Sequence, residues 1–462
     1  MTSHKSPLVP SAFHDMFNAQ NIAVIGASEN PSKLGFRIVQ NLITQKKVVF
    51  PVNPHVSTTQ VYPSVKDVPE KVDLAVIIVP PSVILEIIDE CAIKGIRCVA
   101  IITEGFRETG PEGAELQEKL KQKLQQYDIR AIGPNTMGFH DVFTSFSICF
   151  LDVSDLQPGK VSISSQTGVL AGAFLKYINL SEHIGVNKVI DLGNMIDLDH
   201  ADVLEFLLTD EKTQVIALHM EGLGDGPHFS RTLAQVTPHK PVIIVKGGVM
   251  PETRRVVESH TGSLVGDSLL FEKILKQAGA LQVANFEEFV NLIKGFCFMP
   301  PPKGNKVALI SGSGGTAVIT IDALLKNGLH LAQFSENTLQ QLKKFIPEHG
   351  KIQNPVDIWP AGVTFGLPQI YAETISILDQ DPNVDVIITL LFRIRDFQYD
   401  PTPIIEAAKH CLKPIFFATM GHIVFEMRNE LERNGFPTYT YGSQIARVLG
   451  SMWQYQQFCQ KT

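Results

Sequence analysis

Apolar residues along the chain gather into short unbroken runs, and between the runs they recur every three or four positions. Runs such as "NIAVIGAS" (21–28), "DLAVIIVP" (73–80), "CVAIIT" (98–103), "KVIDLGN" (188–194), "VIALHM" (215–220) and "PVIIVKGG" (241–248) are too short for helices and apolar on both faces. They predict strands buried inside a parallel sheet. The intervening "PSVILEIIDECAIKG" (81–95) and "SLLFEKILKQAG" (268–279) carry helical spacing, and "PEGAELQEKLKQKLQQYD" (111–128) pairs Glu115 with Lys119 on a solvated helical face. Strands alternating with helices predict an α/β fold with parallel sheets.

One device occurs three times: an apolar run, a turn of small residues, then a helical stretch. It appears at "NIAVIGAS", at "KVSISSQTG" (160–168) and at "KVALISGSGG" (306–315). Each reads as the first strand of a doubly wound unit, whose turn presents backbone N–H groups at a helix start. Three starts predict three domains, 1–155, 156–300 and 301–462. The first break is placed at "DVSDLQPGK" (152–160), and the clearest linker at "MPPPKGNK" (299–306) with its three consecutive prolines.

Composition narrows the class. Of 462 residues, 44% are apolar and 19% charged, which suits compact domains rather than a disordered chain. A net charge of −7 without a long basic run argues against nucleic acid as the partner. Six scattered cysteines lack ligand or disulfide spacing and suit a reducing compartment. The N-terminus lacks the apolar core of a signal peptide, and no run approaches the roughly 18 apolar residues of a membrane span, so the expectation is a soluble cytoplasmic protein without a membrane partner.

Four stretches could carry chemistry. In "IAVIGASENPSKLGF" the small residues Gly26, Ala27 and Ser28, with Gly35 further on, allow a pyrophosphate to approach a helix start. After the next strand a NAD-binding fold would want an acid, but the chain has Asn53 and Pro54, which weakens the case for an oxidoreductase and leaves other adenosine pyrophosphates open, coenzyme A among them. In "SISSQTG" the residues Ser165, Gln166, Thr167 and Gly168 form a hydroxyl-rich turn suited to an anion; it lacks the G-x-S-x-G of a nucleophile elbow. Glu221 ends an apolar run at a position that is either a ligand-facing carboxylate or an ordinary surface glutamate. Asp197, Asp199 and Asp202 do not have EF-hand spacing, and Asp199 reads as readily as a helix N-cap as a metal ligand. Finally, "ESHTGSLVG" (258–266) surrounds His260 with Thr261, Gly262 and hydroxyls. Taken alone, that stretch reads first as a surface-loop histidine.

Taken in order, "VIGAS" with the later "LG", "GPNTMG" (133–138), "SSQTGVLAG" (164–172), "GNMIDLDHADVLEFL" (193–207), "EGLGDG" (221–226) and "ESHTGSLVG" resemble the α subunits of ADP-forming acyl-CoA synthetases, in the succinyl-CoA synthetase superfamily. The resemblance covers about residues 15–460 and implies a Rossmann-like CoA-binding domain followed by two flavodoxin-like doubly wound domains. It also implies a reversible ligase reaction in which a carboxylic acid, coenzyme A and ATP give acyl-CoA, ADP and phosphate through an acyl phosphate and a phosphohistidine. By motif, the phosphohistidine is His260 and its orienting carboxylate Glu221. The coenzyme site draws on Gly26, Ala27, Ser28, Gly35, Asn53, Pro54, Pro80 and Asn135, and the phosphate site on Ser165, Gln166, Thr167, Gly168, Thr261 and Gly262. No metal is expected on this chain. The sequence after Thr462 offers nothing from which to build an ATP-grasp module, so ATP and Mg2+ are expected on a separate β subunit, in an α2β2 assembly. Relatives commonly have serine where Thr167 stands and Ser-Ala-Gly-Phe where "TEGF" (103–106) stands, so the surroundings of Glu104 bear on the acid accepted. A CoA-binding or regulatory module of the same fold is the alternative.

Overall fold

The computed structural model describes residues 12–56, 60–250, 252–253, 268–346, 352–393, 400–421 and 424–461. They fall into two compact units, Met1–Ala284 and Asn285–Thr462.

The N-terminal unit holds two sheets. The first comprises β1 (Asn21–Ile25), β2 (Val48–Val52), β3 (Leu74–Ile77), β4 (Cys98–Ile101) and β5 (Arg130–Ile132), all parallel, in the order β2-β1-β3-β4-β5. Both faces are buried, as the unbroken apolar runs require. Ala23, Ile25, Ala75, Ile77, Val99 and Ile101 point into one core, while the alternate residues Ile22, Val24, Leu74, Val76, Cys98 and Ala100 point into another.

The second sheet comprises β6 (Phe139–Asp141), β7 (Phe146–Ser147), β8 (Pro158–Ser165), β9 (Val186–Asp191), β10 (Val215–Met220), β11 (Val242–Lys246) and β12 (Leu281–Val283). Its order is β12-β11-β10-β8-β9-β6-β7, parallel except where β6 and β7 add an antiparallel edge. These two short strands precede the break expected near residue 155, so this sheet draws chain from both sides of that point. The helix Ala12–Asn18 buries Phe13, Met16 and Phe17 in the core that serves both sheets, with Phe17 packed on Phe139 and Phe206. That shared core makes one body of them.

The C-terminal unit repeats the plan: β13 (Lys306–Ser311), β14 (His330–Leu331), β15 (Val356–Asp357), β16 (Val386–Arg393), β17 (Ile415–Gly421) and β18 (Thr438–Tyr439), in the order β14-β13-β16-β17-β18 with β15 also on β13. The helix Phe286–Phe298, which precedes the proline run, belongs to this unit: its Lys294 is buried against Glu432 and the Thr438 carbonyl.

Leaving aside β6, β7 and β15, the parallel strands of each sheet, counted in chain order, run 2-1-3-4-5. The order reverses between β1 and β3, between β8 and β10, and between β13 and β16. Doubly wound sheets leave a crevice at that point, beyond the carboxyl ends of the strands.

Candidate functional site

At the first switch point, β1 ends in Gly26 with φ +97, and a Cβ there would lie 2.0 Å from the Ile78 carbonyl oxygen that follows β3. A Cβ on Gly35 would lie 2.2 Å from the Gly26 oxygen. Only glycines let the turn, the strand end and the helix Leu34–Thr44 close together in this way. The amides of Gly26 and Ala27 both donate to the Val52 carbonyl, at 2.9 and 3.2 Å, so these two fasten the turn to β2. The first-turn amides of the helix Leu34–Thr44, at residues 34–36, have no side-chain cap from Lys33. Asn53 donates to the Ala27 carbonyl at 2.6 Å and accepts the His55 amide at 2.9 Å, a neutral stitch where a dinucleotide fold would carry an acid. The result is a groove of about 740 Å³, whose walls include Gly26, Ala27, Ser28, Gly35, Asn53, Pro54 and Pro80.

A second cavity, of about 870 Å³, is walled by Asn135, Gln166, Thr167, Gly168, Asp191 and Asn194, and Glu104 reaches its edge. It shares Leu34, Ile78, Val79 and Pro80 with the groove, so the two are contiguous. "GPNTMG" and "DLGN" fold against each other here. Asn135 has φ +60 and donates its amide to Thr103, Asn194 donates its amide to Pro134, and a Cβ on Gly193 would lie 2.3 Å from the Pro134 oxygen. Asp191, at the end of β9, accepts the Met137 amide at 2.7 Å; burial pushes its carboxyl up to about 6 despite hydrogen bonds from the Met137 and Gly193 amides. Glu108 accepts the amides of Gly105 and Phe106 and the side chain of Asn194, and these outweigh its partial burial and hold its carboxyl below the ordinary range.

The turn after β8 meets the turn after β10 at the second switch point. Ser165 donates its hydroxyl to the Thr167 carbonyl at 3.0 Å. Gln166, 4% exposed, accepts the backbone amides of Glu221 at 2.6 Å and Gly222 at 2.9 Å on its side-chain oxygen. Two donors face that atom, so the orientation of the carboxamide is determined, and the Nε2 of His200, 3.3 Å away, must carry its proton toward it. Burial, with His219 and Lys246 nearby, lowers His200 to about 3; burial and Lys246 lower His219 to about 4. Both rings are neutral. Lys246 donates to the Glu221 carbonyl at 2.8 Å, and one carboxylate oxygen of Glu221 is buried.

The structure therefore brings Gly26, Ala27, Ser28, Gly35, Asn53, Pro54, Pro80, Asn135, Gln166, Thr167 and Gly168 to one continuous recess; Ser165 and Glu221 line neither cavity, and Glu221 adjoins it through its contact with Gln166. His260, Thr261 and Gly262 lie outside the described residues. The acidic trio has structural tasks: Asp199 caps the helix His200–Thr209 with Asp202 reciprocating, and Asp197 accepts Arg130 and the Ala131 amide. Among the described residues no His, Cys, Asp and Glu group is placed to hold a metal, and no helix is long and apolar enough to cross a membrane. Asp191 and His200 went unmarked in the sequence. Asp191 ends an apolar run in "KVIDLGN" as Glu221 does in "VIALHME", and the same edge rule applies to it.

Comparison with known proteins places the chain in a family. The family described as a CoA binding domain matches residues 20–141, the succinyl-CoA ligase like flavodoxin domain matches 158–296, and the Ligase-CoA domain matches 307–460. The alpha subunit of ADP-forming acetate–CoA ligase II from Pyrococcus furiosus is 38% identical over 95% of this chain and 96% of its own. The ADP-forming acetate–CoA ligase II of Archaeoglobus fulgidus is 35% identical over 96% of this chain, which spans 66% of that relative's length. Among solved structures, the dinucleotide forming acetyl-coenzyme A synthetase 1 of Ca. Korarchaeum cryptofilum, in complex with phosphate and ADP, superposes with a TM-score of 0.89 at 30% identity, covering 97% of this chain and 98% of that one. The chain belongs to the ADP-forming acyl-CoA synthetases of the succinyl-CoA synthetase superfamily and corresponds to their alpha subunit.

Proposed function

We propose that the chain binds coenzyme A in the groove at the first switch point and joins it reversibly to a small carboxylic acid in the adjoining cavity, by way of phosphate and His260. In the direction that consumes thioester, a phosphate oxygen attacks the thioester carbonyl, the C–S bond breaks, and the coenzyme leaves as its thiol with a proton. A nitrogen of His260 then attacks phosphorus, the bond to the acyl oxygen breaks, and the acid leaves as its carboxylate. Neutral imidazole offers that lone pair near pH 7. Glu221 orients the ring and balances the charge it acquires, as the aspartate of a catalytic triad does. Donors for the phosphoryl oxygens come from Ser165, Thr167, the Gly168 amide and the residues following His260, while the Gln166 side chain is engaged elsewhere.

The single observation carrying this reading is the shared wall of Leu34, Ile78, Val79 and Pro80, which lets one ligand reach from the groove into the recess beside Asp191, Gln166 and Thr167. The reverse transfer, from phosphohistidine to ADP, needs a nucleotide site; we assign it, with its Mg2+, to an ATP-grasp β subunit in an α2β2 assembly, in keeping with the subunit naming of the Pyrococcus relatives. Six cysteines outside any disulfide fit a cytoplasmic setting, and the three-domain division 1–155, 156–300 and 301–462 is kept as our functional partition. The test combines the chain with such a β subunit, ATP, coenzyme A and a panel of monocarboxylic acids. Acyl-CoA formed only when both chains are present supports the assignment; formation by this chain alone at the same rate refutes the placement of the nucleotide.

A further inference from the structure

Gln166 sits in the hydroxyl-rich turn, where its position suggests a ligand to phosphate, yet its oxygen is already engaged. It accepts the amides of Glu221 and Gly222 across the reversal of strand order between β8 and β10, and the Nε2–H of His200 from the helix that follows β9. Its nitrogen is buried and has no hydrogen-bond partner among the described residues. The chemistry of this contact is selective. Two backbone N–H groups and an imidazole N–H converge on one atom, which must be a strong acceptor on a side chain of this length. A carboxylate would also accept them, but it would put a charge beside the Glu221 carboxylate and draw a proton onto a ring that its surroundings keep neutral. A carboxamide meets the donors without that charge.

We infer that Gln166 is the positioning residue of the phosphoryl-transfer step: its side-chain oxygen ties the Glu221–Gly222 turn to the 165–168 turn and so sets where the Glu221 carboxylate stands relative to the phosphoryl group. This rests on the proposed roles of Glu221 and His260. It separates two steps that an anion ligand would affect together. Attack of phosphate on the thioester needs the 165–168 turn but not Glu221, whereas transfer to the histidine needs both.

The test uses the chain with its β subunit, 32P-labelled phosphate, and whichever of acetyl-, isobutyryl- and phenylacetyl-CoA labels the wild type fastest. Acyl phosphate is trapped with hydroxylamine as the hydroxamate, and phosphohistidine is read as acid-labile, base-stable label on protein. Gln166→Met keeps length and removes the acceptor. It is expected to leave hydroxamate formation and the KM for phosphate within about twofold while slowing labelling on the order of 100-fold, the effect of misplacing a group by about 1 Å. Gln166→Glu keeps the acceptor but adds the charge, and is expected to label faster than Gln166→Met and more slowly than the wild type, while also leaving hydroxamate formation within about twofold. If Gln166→Met does not fold, Gln166→Asn, which withdraws the same oxygen by one methylene, makes the same test. A parallel loss of both steps with a raised KM for phosphate would show an anion ligand instead, and no change in either step would show a purely structural contact; both overturn the inference. Glu221→Gln runs beside them: if it labels at the wild-type rate, the reading of Glu221 fails, a result distinct from Gln166→Met alone labelling normally.

Discussion

The side-chain oxygen of Gln166 stands 2.6 Å from the backbone nitrogen of Glu221, 55 residues away along the chain. That contact bridges the strands flanking the reversal in the second sheet and fastens a hydroxyl-bearing turn to the residue proposed to orient the nucleophile. The first sheet reverses at the equivalent place and opens a groove there. Two copies of one topology, packed on a common core through the helix Ala12–Asn18, thus set two ligand crevices side by side.

Gly26→Ala tests the first crevice. The new methyl would meet a backbone oxygen at 2.0 Å, and the residue has φ +97, so left-handed strain of about 1–2 kcal/mol adds to a clash that cannot relax. Urea unfolding should show a loss well above that of Gly95→Ala, where φ is +80 but no atom lies within 4 Å. Calorimetric titration should show coenzyme A affinity lost in the first variant and kept in the second.

Asp191→Asn should stabilise the protein, but only above the pH at which the unfolded carboxyl ionises. The folded carboxyl, 1% exposed, is raised to about 6. The native state therefore holds its proton where the unfolded chain has lost it, and at pH 8 ionisation of the buried acid costs about 3 kcal/mol. Thermal melts should separate variant and wild type by about 3 kcal/mol at pH 8, with the gap shrinking to about 1 kcal/mol at pH 4.5 as the unfolded chain approaches its own titration at 3.8.

Buried histidines impose the opposite slope. His140 and His219 are lowered to about 4 and His200 to about 3, chiefly by burial. Below about pH 6.5 the unfolded chain takes up protons that the native state refuses, so each ring removes about 1.4 kcal/mol per pH unit until its folded value is reached. Asp191 works in the stabilising sense as pH falls over part of the same interval. His200→Gln, which can still donate to Gln166, should flatten the dependence of urea midpoint on pH by about one ring's share between pH 6 and pH 4.

In the C-terminal unit, Lys294 and Glu432 are 1% and 0% exposed, and Arg428 also donates to Glu432. Lys294→Met leaves a buried carboxylate short of charge, which costs about 3–5 kcal/mol. The double variant Lys294→Met/Glu432→Gln removes the unmatched charge and should recover much of that loss in the same unfolding experiment.

The buried strands and their parallel, doubly wound class were legible in the sequence because a strand buried on both faces must be apolar throughout, as "LAVI" and "VIALHM" are; their order was not. The edge strands Phe139–Asp141 and Phe146–Ser147 were not, being too short to show a period. The helix Phe286–Phe298 shows why boundaries are hard to read: its place in the C-terminal unit depends on Glu432, 138 residues beyond Lys294. In the site, glycines announced themselves because turns with positive φ restrict residue type, and Glu221 stood out at a strand end. The task of Gln166 did not, because nothing local to "SSQTG" names the amides on a distant strand.

The central claim is that this chain carries the phosphoryl group on His260. Incubating it with acyl-CoA and 32P-labelled phosphate, and separating the protein under base, measures that directly. Base-stable, acid-labile label that is absent in His260→Ala while coenzyme A binding persists is the expected result. Label that survives in His260→Ala, or a wild-type chain that turns over acyl-CoA and phosphate without ever becoming labelled, would contradict it.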